Sequence, residues 1–126
     1  MSIDLSEIRV LVAEDSPTQS MLIMFILQKA GFKAQAFVNG KLALDAATAS
    51  KPALIISDVN MPVMGGPALT RAIRAEASLS DIKVILVTST ADARDEIEIK
   101  GCGADGYMRK PFKPDELLKC IQDVLG

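Results

Sequence analysis

Carboxylates, a hydroxyl and an amine stand at the ends of short apolar runs along this chain of 126 residues. Glu14 and Asp15 follow RVLVA, Asp58 follows ALIIS, Thr88 closes KVILVT, and Lys110 follows a fifth short run. Three carboxylates brought together repel one another unless a cation lies between them, and oxygen ligands favour Mg²⁺. A hydroxyl and an ammonium beside that ion would suit phosphoryl transfer, in which an Asp can itself be the nucleophile.

Each of these side chains needs a strand to position it, and the sequence alternates strand and helix patterns five times. The predicted strands are Arg9–Ala13, Lys33–Val38, Ala53–Ser57, Lys83–Thr88 and Asp105–Arg109. The predicted helices run over Pro17–Ala30, from Asn39-Gly40 to about Ala49, from Gly65 to about Ala77, from Ala93 to about Lys100, and over Pro114–Leu125. Strict alternation predicts a parallel sheet with helices on both faces.

We therefore expect a single α/β domain of the flavodoxin-like (βα)5 doubly wound type, with a five-stranded parallel sheet in the order 2-1-3-4-5. Half of a Rossmann fold or a ferredoxin-like fold is the alternative. A dinucleotide-binding fold requires GxGxxG after its first strand, and Glu14-Asp15-Ser16-Pro17 stands there instead. Ligands of such sheets bind at the carboxyl ends of the strands where the strand order reverses, here between strands 1 and 3.

Each candidate residue also has a structural interpretation when it is taken alone. Glu14 and Asp15 can cap a helix, Asp58 can belong to a turn, Thr88 can be an ordinary strand residue, and Lys110 can be a solvated loop lysine. These separate interpretations do not explain why all five residues fall at the same end of neighbouring strands. Their conjunction favours a shared site.

The composition excludes several classes of function. The chain has a net charge of −2 and no histidine, which rules out His-dependent catalysis and His-ligated zinc. Clustered Lys and Arg, which a nucleic-acid surface needs, are absent from the sequence. Cys102 and Cys120 are not in a metal-binding spacing, so we expect free thiols in a reducing cytosol.

The apolar stretch Met21–Leu27 is too short to span a bilayer, and the N-terminus lacks the features of a signal peptide. We therefore expect a cytoplasmic protein without membrane insertion. Met21, Met24 and Phe25 are predicted to be core residues of the first helix rather than a functional stripe.

The residues resemble the receiver domain of two-component response regulators, from about Ile8 to Leu125, so residues 1–126 are expected to form one such domain. The motifs that carry the resemblance are Glu14-Asp15, Asp58-Val59-Asn60-Met61-Pro62 with Met64 and Gly66, Thr88 after Val84-Ile85-Leu86-Val87, and Gly103-Ala104 leading to Lys110-Pro111-Phe112. One departure concerns the start of the third helix, where Gly65 stands in place of the Asp that many members carry.

The resemblance implies a role for each site residue. Asp58 is expected to be the phosphoacceptor. Asp15 and Asp58, with the backbone carbonyl of Asn60, are expected to ligate Mg²⁺ directly, and Glu14 is expected to act through a water. Thr88 and Lys110 would then contact the phosphoryl oxygens.

The resemblance also implies a switch. Tyr107 occupies the position of the aromatic residue that turns inward when Thr88 moves toward the phosphate, and the Lys110-Pro111 peptide is expected to be cis. Asn60 and Thr90 are expected to tune dephosphorylation. Since Thr90 has no carboxylate or amide with which to orient water, we expect a slow to moderate intrinsic rate.

These features predict a phosphorylation-activated signalling switch, not an enzyme acting on other substrates. A sensor histidine kinase or phosphotransfer protein is the expected donor. Partner affinity would change on the surface formed by the fourth helix, fifth strand and fifth helix, in a monomer or a weak phosphorylation-dependent dimer. We expect no direct contact with nucleic acid.

Because Met1 lies close to the first strand, we expect a stand-alone regulator of the chemotaxis or phosphorelay type. The alternatives are a receiver excised from a longer response regulator or hybrid kinase, a degenerate receiver that works without phosphorylation, and an Asp-nucleophile phosphatase. The phosphatase alternative is disfavoured because Asn60 stands where such enzymes carry a second acid.

Overall fold

The structure, a computed structural model, describes residues 7–89 and 101–126. Its strands are β1 (Arg9–Ala13), β2 (Lys33–Phe37), β3 (Leu54–Asp58), β4 (Lys83–Thr88) and β5 (Gly106–Arg109). They form one parallel sheet in the order β2-β1-β3-β4-β5. The predicted fold class and strand order are confirmed.

Four helices lie within the described ranges. They are α1 (Pro17–Ala30), α2 (Gly40–Ala49), α3 (Gly66–Ala75) and the C-terminal helix (Pro114–Leu125). None of these helices combines the length and the apolar character that crossing a membrane requires. The helix predicted from Ala93 to about Lys100, and Thr90, lie outside the described residues.

Local sequence signals explain where the first helix begins and ends. The Ser16 side chain accepts a hydrogen bond from the Gln19 N–H at 3.4 Å, and Pro17 occupies the first turn. Gly31 ends the helix in the left-handed conformation, with a φ of 105°. Helix α1 therefore starts immediately after the acidic pair that follows β1.

The sheet is covered on both faces, as its apolar strands predicted. Alternate residues of β1 enter two different cores, with Leu11 and Ala13 on one face and Val10 and Val12 on the other. The first core includes residues of α2 and α3, and the second includes residues of α1 and the C-terminal helix. These two cores hold the carboxyl edge of the sheet between packed helices.

The prediction that Met21 and Phe25 are core residues is wrong. Met21 is 72% exposed and Phe25 is 61% exposed, whereas Met24 packs partly against the core. The buried face of α1 consists of Ile23, Ile26 and Leu27. Because α1 is apolar around most of its circumference, the hydrophobic pattern alone does not determine which side faces the sheet.

Several element boundaries differ by one or two residues from the predicted ones. Strand β3 includes Asp58, because Asp58 continues the parallel register opposite Val87. Helix α3 ends at Ala75, since Glu76 adopts an extended conformation. Three other predicted ends also shift: β2 stops before Val38, β3 starts after Ala53, and β5 starts after Asp105.

Gly66 lets α3 approach the end of β3 closely. A Cβ atom at this position would lie 2.6 Å from the Asp58 carbonyl oxygen and 2.8 Å from Leu86 Cδ2. The backbone N–H of Gly66 also donates to the Val59 carbonyl at 3.0 Å. The start of α3 is therefore packed directly against the backbone of Asp58.

We predict that Gly66→Ala lowers the free energy of unfolding by about 1–3 kcal/mol, because the new methyl group overpacks against backbone and Leu86. Gly101→Ala is the matched control, since a Cβ there meets nothing within 4 Å. That control should be neutral or stabilising by up to about 1 kcal/mol. Urea denaturation of both variants measures the difference, and equal effects would contradict the proposed packing.

Candidate functional site

The register of the sheet brings the predicted residues to one edge. Ala13 of β1 lies beside Ser57 of β3, so the residues that follow these two strands are neighbours. Asp58 lies opposite Val87, one residue before Thr88, and Thr88 lies opposite Arg109. The acidic pair, Asp58, Thr88 and Lys110 therefore all lie at the carboxyl ends of β1, β3, β4 and β5.

Three carboxylates meet at this edge, as the sequence predicted. One carboxylate oxygen from each of Glu14, Asp15 and Asp58 lies within 4.8 Å of the other two. Glu14 is buried, Asp58 is partly buried, and Asp15 is exposed. The cluster thus has a dry inner side at Glu14 and an open side at Asp15.

Lys110 contacts the inner part of this cluster. Its Nζ lies 3.0 Å from Glu14 Oε2 and 3.5 Å from Asp58 Oδ1. The Lys110 side chain is 11% exposed and the Glu14 side chain is 2% exposed, so their ion pair is almost completely removed from solvent. The sequence predicted that Lys110 would reach the cleft, but not that Glu14 would be its nearer partner.

The backbone around Asp58 is fixed by hydrogen bonds. The Val59 N–H donates to Asp58 Oδ1 at 2.9 Å and to the Val87 carbonyl at 3.0 Å. The buried Ser57 hydroxyl donates to the Asp58 carbonyl at 2.9 Å. The Asp58 carboxylate is therefore held at the centre of the edge, where β3 meets β4.

The pKa of Asp58 is raised from its ordinary value of 3.8 to about 6, first by burial and then by the neighbouring charge of Glu14. Lys110 and the Val59 N–H oppose this change by stabilising the carboxylate. Because the net shift is upward, the charges and hydrogen bonds of the protein itself do not fully compensate the Asp58 carboxylate.

A divalent cation fits this donor set. The cluster contains three neighbouring carboxylates. Within the described residues, the ion pairs recorded for them involve one cation, the ammonium group of Lys110. An all-oxygen cluster with one exposed member suits Mg²⁺, which binds a few carboxylates and retains water. The three carboxylates that the sequence assigned to Mg²⁺ are thus close enough together to share one ion.

The other predicted residues surround the cluster at different depths. Thr88 is buried at the end of β4, and its carbonyl accepts the backbone N–H of Lys110 at 2.7 Å. Asn60 is exposed and, with Asp15, lines a cavity of about 460 Å³. Tyr107 on β5 is exposed, and the Lys110-Pro111 peptide is cis, as expected.

The loop after Asp58 contains a strained residue that sequence patterns did not reveal. Val63 has a φ of 69°, a region that β-branched residues rarely occupy. The Met64 N–H donates to the Pro62 carbonyl at 2.7 Å, which closes a γ-turn around Val63. The Gly40 N–H donates to the Met64 carbonyl at 3.0 Å and ties this loop to α2.

We predict that Val63→Asn raises the free energy of unfolding by about 1 kcal/mol, because Asn adopts a positive φ at a lower cost than a β-branched residue. Val63 is 82% exposed, so its side chain contributes little packing. Val38→Asn is the control, since Val38 is also exposed but has no positive φ. Chemical denaturation should separate the two variants; equal changes would show that Val63 carries no strain.

We predict that Asp58→Asn stabilises the metal-free protein by about 1–2 kcal/mol at about pH 8. This free energy is smaller than the full pKa shift would give, because solvent partly screens the Asp58 charge. The pKa of Asp58 is raised to about 6 in the folded protein and has its ordinary value of 3.8 in the unfolded chain. Between these two pH values, the folded state therefore keeps a proton on Asp58 that the unfolded state has lost. Wild-type stability is therefore lost as the pH rises through about 6, and the uncharged amide of the variant avoids that loss.

The measurement is urea denaturation in EDTA over a pH series, with exposed Asp123→Asn as the control. The advantage of Asp58→Asn should appear between about pH 4 and pH 6 and then remain constant. A difference independent of pH would show that the Asp58 carboxylate is not held at an unfavourable position.

Comparisons with known proteins point to one family. Residues 10–122 match the family described as response regulator receiver domain. The chain is 34% identical over 118 residues to protein PilH of Pseudomonas aeruginosa, and the match covers 94% of this chain and 98% of PilH. It is also 32% identical to the DNA-binding response regulator MtrA of Mycolicibacterium smegmatis and 31% identical to the DNA-binding dual master transcriptional regulator RpaA of Synechocystis sp.. These matches cover 90% and 93% of this chain but only 49% and 48% of MtrA and RpaA.

Solved structures agree with this match. The chemotaxis response regulator CheY4 of Vibrio cholerae superimposes with a TM-score of 0.86 at 34% identity, over 93% of this chain and 98% of CheY4. The receiver domain of the sensor histidine kinase PA1611 of Pseudomonas aeruginosa, solved with a magnesium ion in its active site cleft, has a TM-score of 0.88 at 29% identity. That match covers 94% of this chain and 97% of the PA1611 domain. With a family match across most of its length and the expected sheet, this chain belongs to the receiver domains of two-component response regulators.

Proposed function

We propose that this receiver domain is a Mg²⁺-dependent signalling switch that accepts one phosphoryl group on Asp58. The observation that carries the proposal is the position of Asp58, whose carboxylate lies beside the acidic pair and 3.5 Å from Lys110 Nζ, at the edge where β3 meets β4. A carboxylate at this point has both a cation-binding cluster and a fixed ammonium group beside it. These are the charges that phosphoryl transfer requires.

The proposed donor is a phosphohistidine on a sensor histidine kinase or a phosphotransfer protein. In the transfer step, an Asp58 carboxylate oxygen forms a bond to phosphorus while the donor's nitrogen–phosphorus bond breaks. The histidine of the donor, protonated on its other ring nitrogen, keeps that electron pair and leaves as a neutral imidazole. Since this chain has no histidine, the phosphohistidine must come from another protein or domain.

In this proposal Asp15, Asp58 and the Asn60 carbonyl hold Mg²⁺, with Glu14 acting through a water. The bound ion would neutralise charge on the phosphoryl oxygens. Lys110 and Thr88 would stabilise the remaining oxygens through an ammonium group and a hydroxyl group. The likeness to the PA1611 receiver domain, whose structure contains magnesium in its cleft, supports this assignment.

Phosphorylation would then change the affinity for a downstream protein, and Tyr107 and Thr88 would couple the site to that surface. The proposed surface includes β5, the C-terminal helix and the segment 93–100. The domain would catalyse only its own phosphorylation and dephosphorylation, as a monomer or a weak phosphorylation-dependent dimer without direct contact with nucleic acid. We also propose a cytoplasmic location, since Cys120 is a free thiol, which a reducing compartment preserves.

A regulator of the chemotaxis or phosphorelay type is the more specific form of the proposal. Likeness to CheY4, a chemotaxis response regulator, supports it. Likeness to the receiver domain of the sensor histidine kinase PA1611 supports the alternative, in which the domain works as part of a larger signalling protein. The chemistry proposed at Asp58 is the same in both cases.

We predict that incubation with acetyl phosphate and Mg²⁺ adds one phosphoryl group to the protein, as measured by intact mass. Asp58→Asn should abolish the addition, because it removes the nucleophilic oxygen and retains the shape of the side chain. Exposed Asp123→Asn is the matched control and should be phosphorylated like the wild type. EDTA should prevent the reaction in all variants.

Two results would contradict the proposal. If wild-type protein gains no mass although NMR detects Mg²⁺ binding, the domain is a receiver that works without phosphorylation. If Asp58→Asn gains mass as readily as the wild type, another residue accepts the phosphoryl group.

A further inference from the structure

Helix α1 carries an apolar surface that the two cores leave uncovered. Met21, Leu22 and Phe25 are 72%, 50% and 61% exposed. Side chains three and four residues apart are neighbours on a helix, so these three residues form one continuous stripe on the outside of α1. A continuous apolar surface of this kind, with polar residues around it, commonly marks a contact with another protein.

The stripe has opposite charges at its two ends. Asp15 is exposed just before the helix begins, and Lys29 is exposed in its last turn. Asp15 lies seven residues before Leu22, and Lys29 lies seven residues after it. Seven residues make about two helical turns, so both charges lie on the side of α1 that Leu22 occupies. A second α1 placed antiparallel, with a two-fold axis at Leu22, brings Asp15 of each copy to Lys29 of the other.

The surface beside the stripe fits the same arrangement. A cavity of about 540 Å³ lies between α1 and the loop after β5, and its lining includes Gln19, Leu22 and Phe112. Gln19 precedes Leu22 by three residues, and Phe25 follows it by three. A two-fold axis at Leu22 therefore places Phe25 of one copy at the level of Gln19 in the other, where its ring can enter the cavity. Burial of an aromatic ring in a pocket is a strong source of binding energy.

We propose that α1 is a self-association surface, on which two copies of this domain pack their α1 helices antiparallel about a two-fold axis at Leu22. The occupant is a second copy because the copy supplies the opposite charge at both ends of the stripe at once. Helix α1 has 14 residues and is about 21 Å long, which gives a small interface. The dimer is therefore weak, with a dissociation constant on the order of 100 µM.

Self-association goes beyond the proposed function, since it concerns the unphosphorylated domain and needs no metal. It still affects access to the candidate site. The cavity that receives Phe25 is also lined by Lys110, so the second copy covers one side of the site. A protein that approaches Lys110 from that side must first separate the two copies.

The test is sedimentation velocity of the unphosphorylated, metal-free protein between about 10 and 500 µM, a range that spans the expected dissociation constant. We expect the sedimentation coefficient of the wild type to rise with concentration. Leu22→Glu and Leu22→Lys each place like charges on the two-fold axis, so each variant alone should remain monomeric. An equimolar mixture of the two variants should associate again, because it places opposite charges on that axis.

The matched control is Tyr107→Glu, which adds the same charge at a similarly exposed residue of β5. Tyr107 is 55% exposed, close to the exposure of Leu22. This variant should associate like the wild type, because β5 is not part of the proposed contact. Circular dichroism establishes that each variant is folded.

Three results would overturn the inference. The wild type remains monomeric at every concentration, both Leu22 variants still associate, or Tyr107→Glu alone abolishes association. Failure of the mixed variants to associate would also exclude a two-fold axis at Leu22. The proposed phosphorylation of Asp58 is tested separately by acetyl phosphate, so the failure of one proposal is distinguishable from the failure of the other.

Discussion

The close approach of three carboxylates to one ammonium group is the interaction on which the site depends. Glu14, Asp15 and Asp58 lie within a few ångströms of one another, and Lys110 faces two of them. With all four groups ionised, the cluster keeps a net negative charge that burial makes unfavourable, and the upward shift in the pKa of Asp58 reflects this. Such a cluster suits a divalent cation and, in the function proposed for this domain, a phosphoryl group beside that cation.

The fold maintains this unfavourable arrangement because the rest of the domain is packed around it. Two apolar cores hold the sheet from both faces, and the register of β1, β3 and β4 leaves no freedom in the positions of the strand ends. Gly66 packs against the Asp58 backbone, and Gly40 holds the loop that contains the strained Val63. The stability of these layers compensates the local cost of the charges and of the strained turn.

Much of the fold and of the site could be predicted from the sequence, because both depend on features that act locally or through simple periodicity. The alternation of apolar strands and helices predicted the sheet order, and strand order then placed Glu14, Asp15, Asp58, Thr88 and Lys110 at one edge. The rotation of α1 could not be predicted in the same way, since its apolar residues surround the helix and offer no single buried face. The sequence pattern predicts Met21 and Phe25 in the core, whereas both are exposed.

The pairing of Lys110 with Glu14 could not be predicted from the sequence for a different reason. Sequence patterns place a lysine near a group of carboxylates, but the choice among the carboxylates depends on differences of less than an ångström in three dimensions. That choice matters because Glu14 is the most deeply buried of the three acids, so its ion pair is the one least weakened by water. The backbone of Lys110 is fixed beside Thr88 at the end of the paired strands β4 and β5, and from there its ammonium group reaches both Glu14 and Asp58.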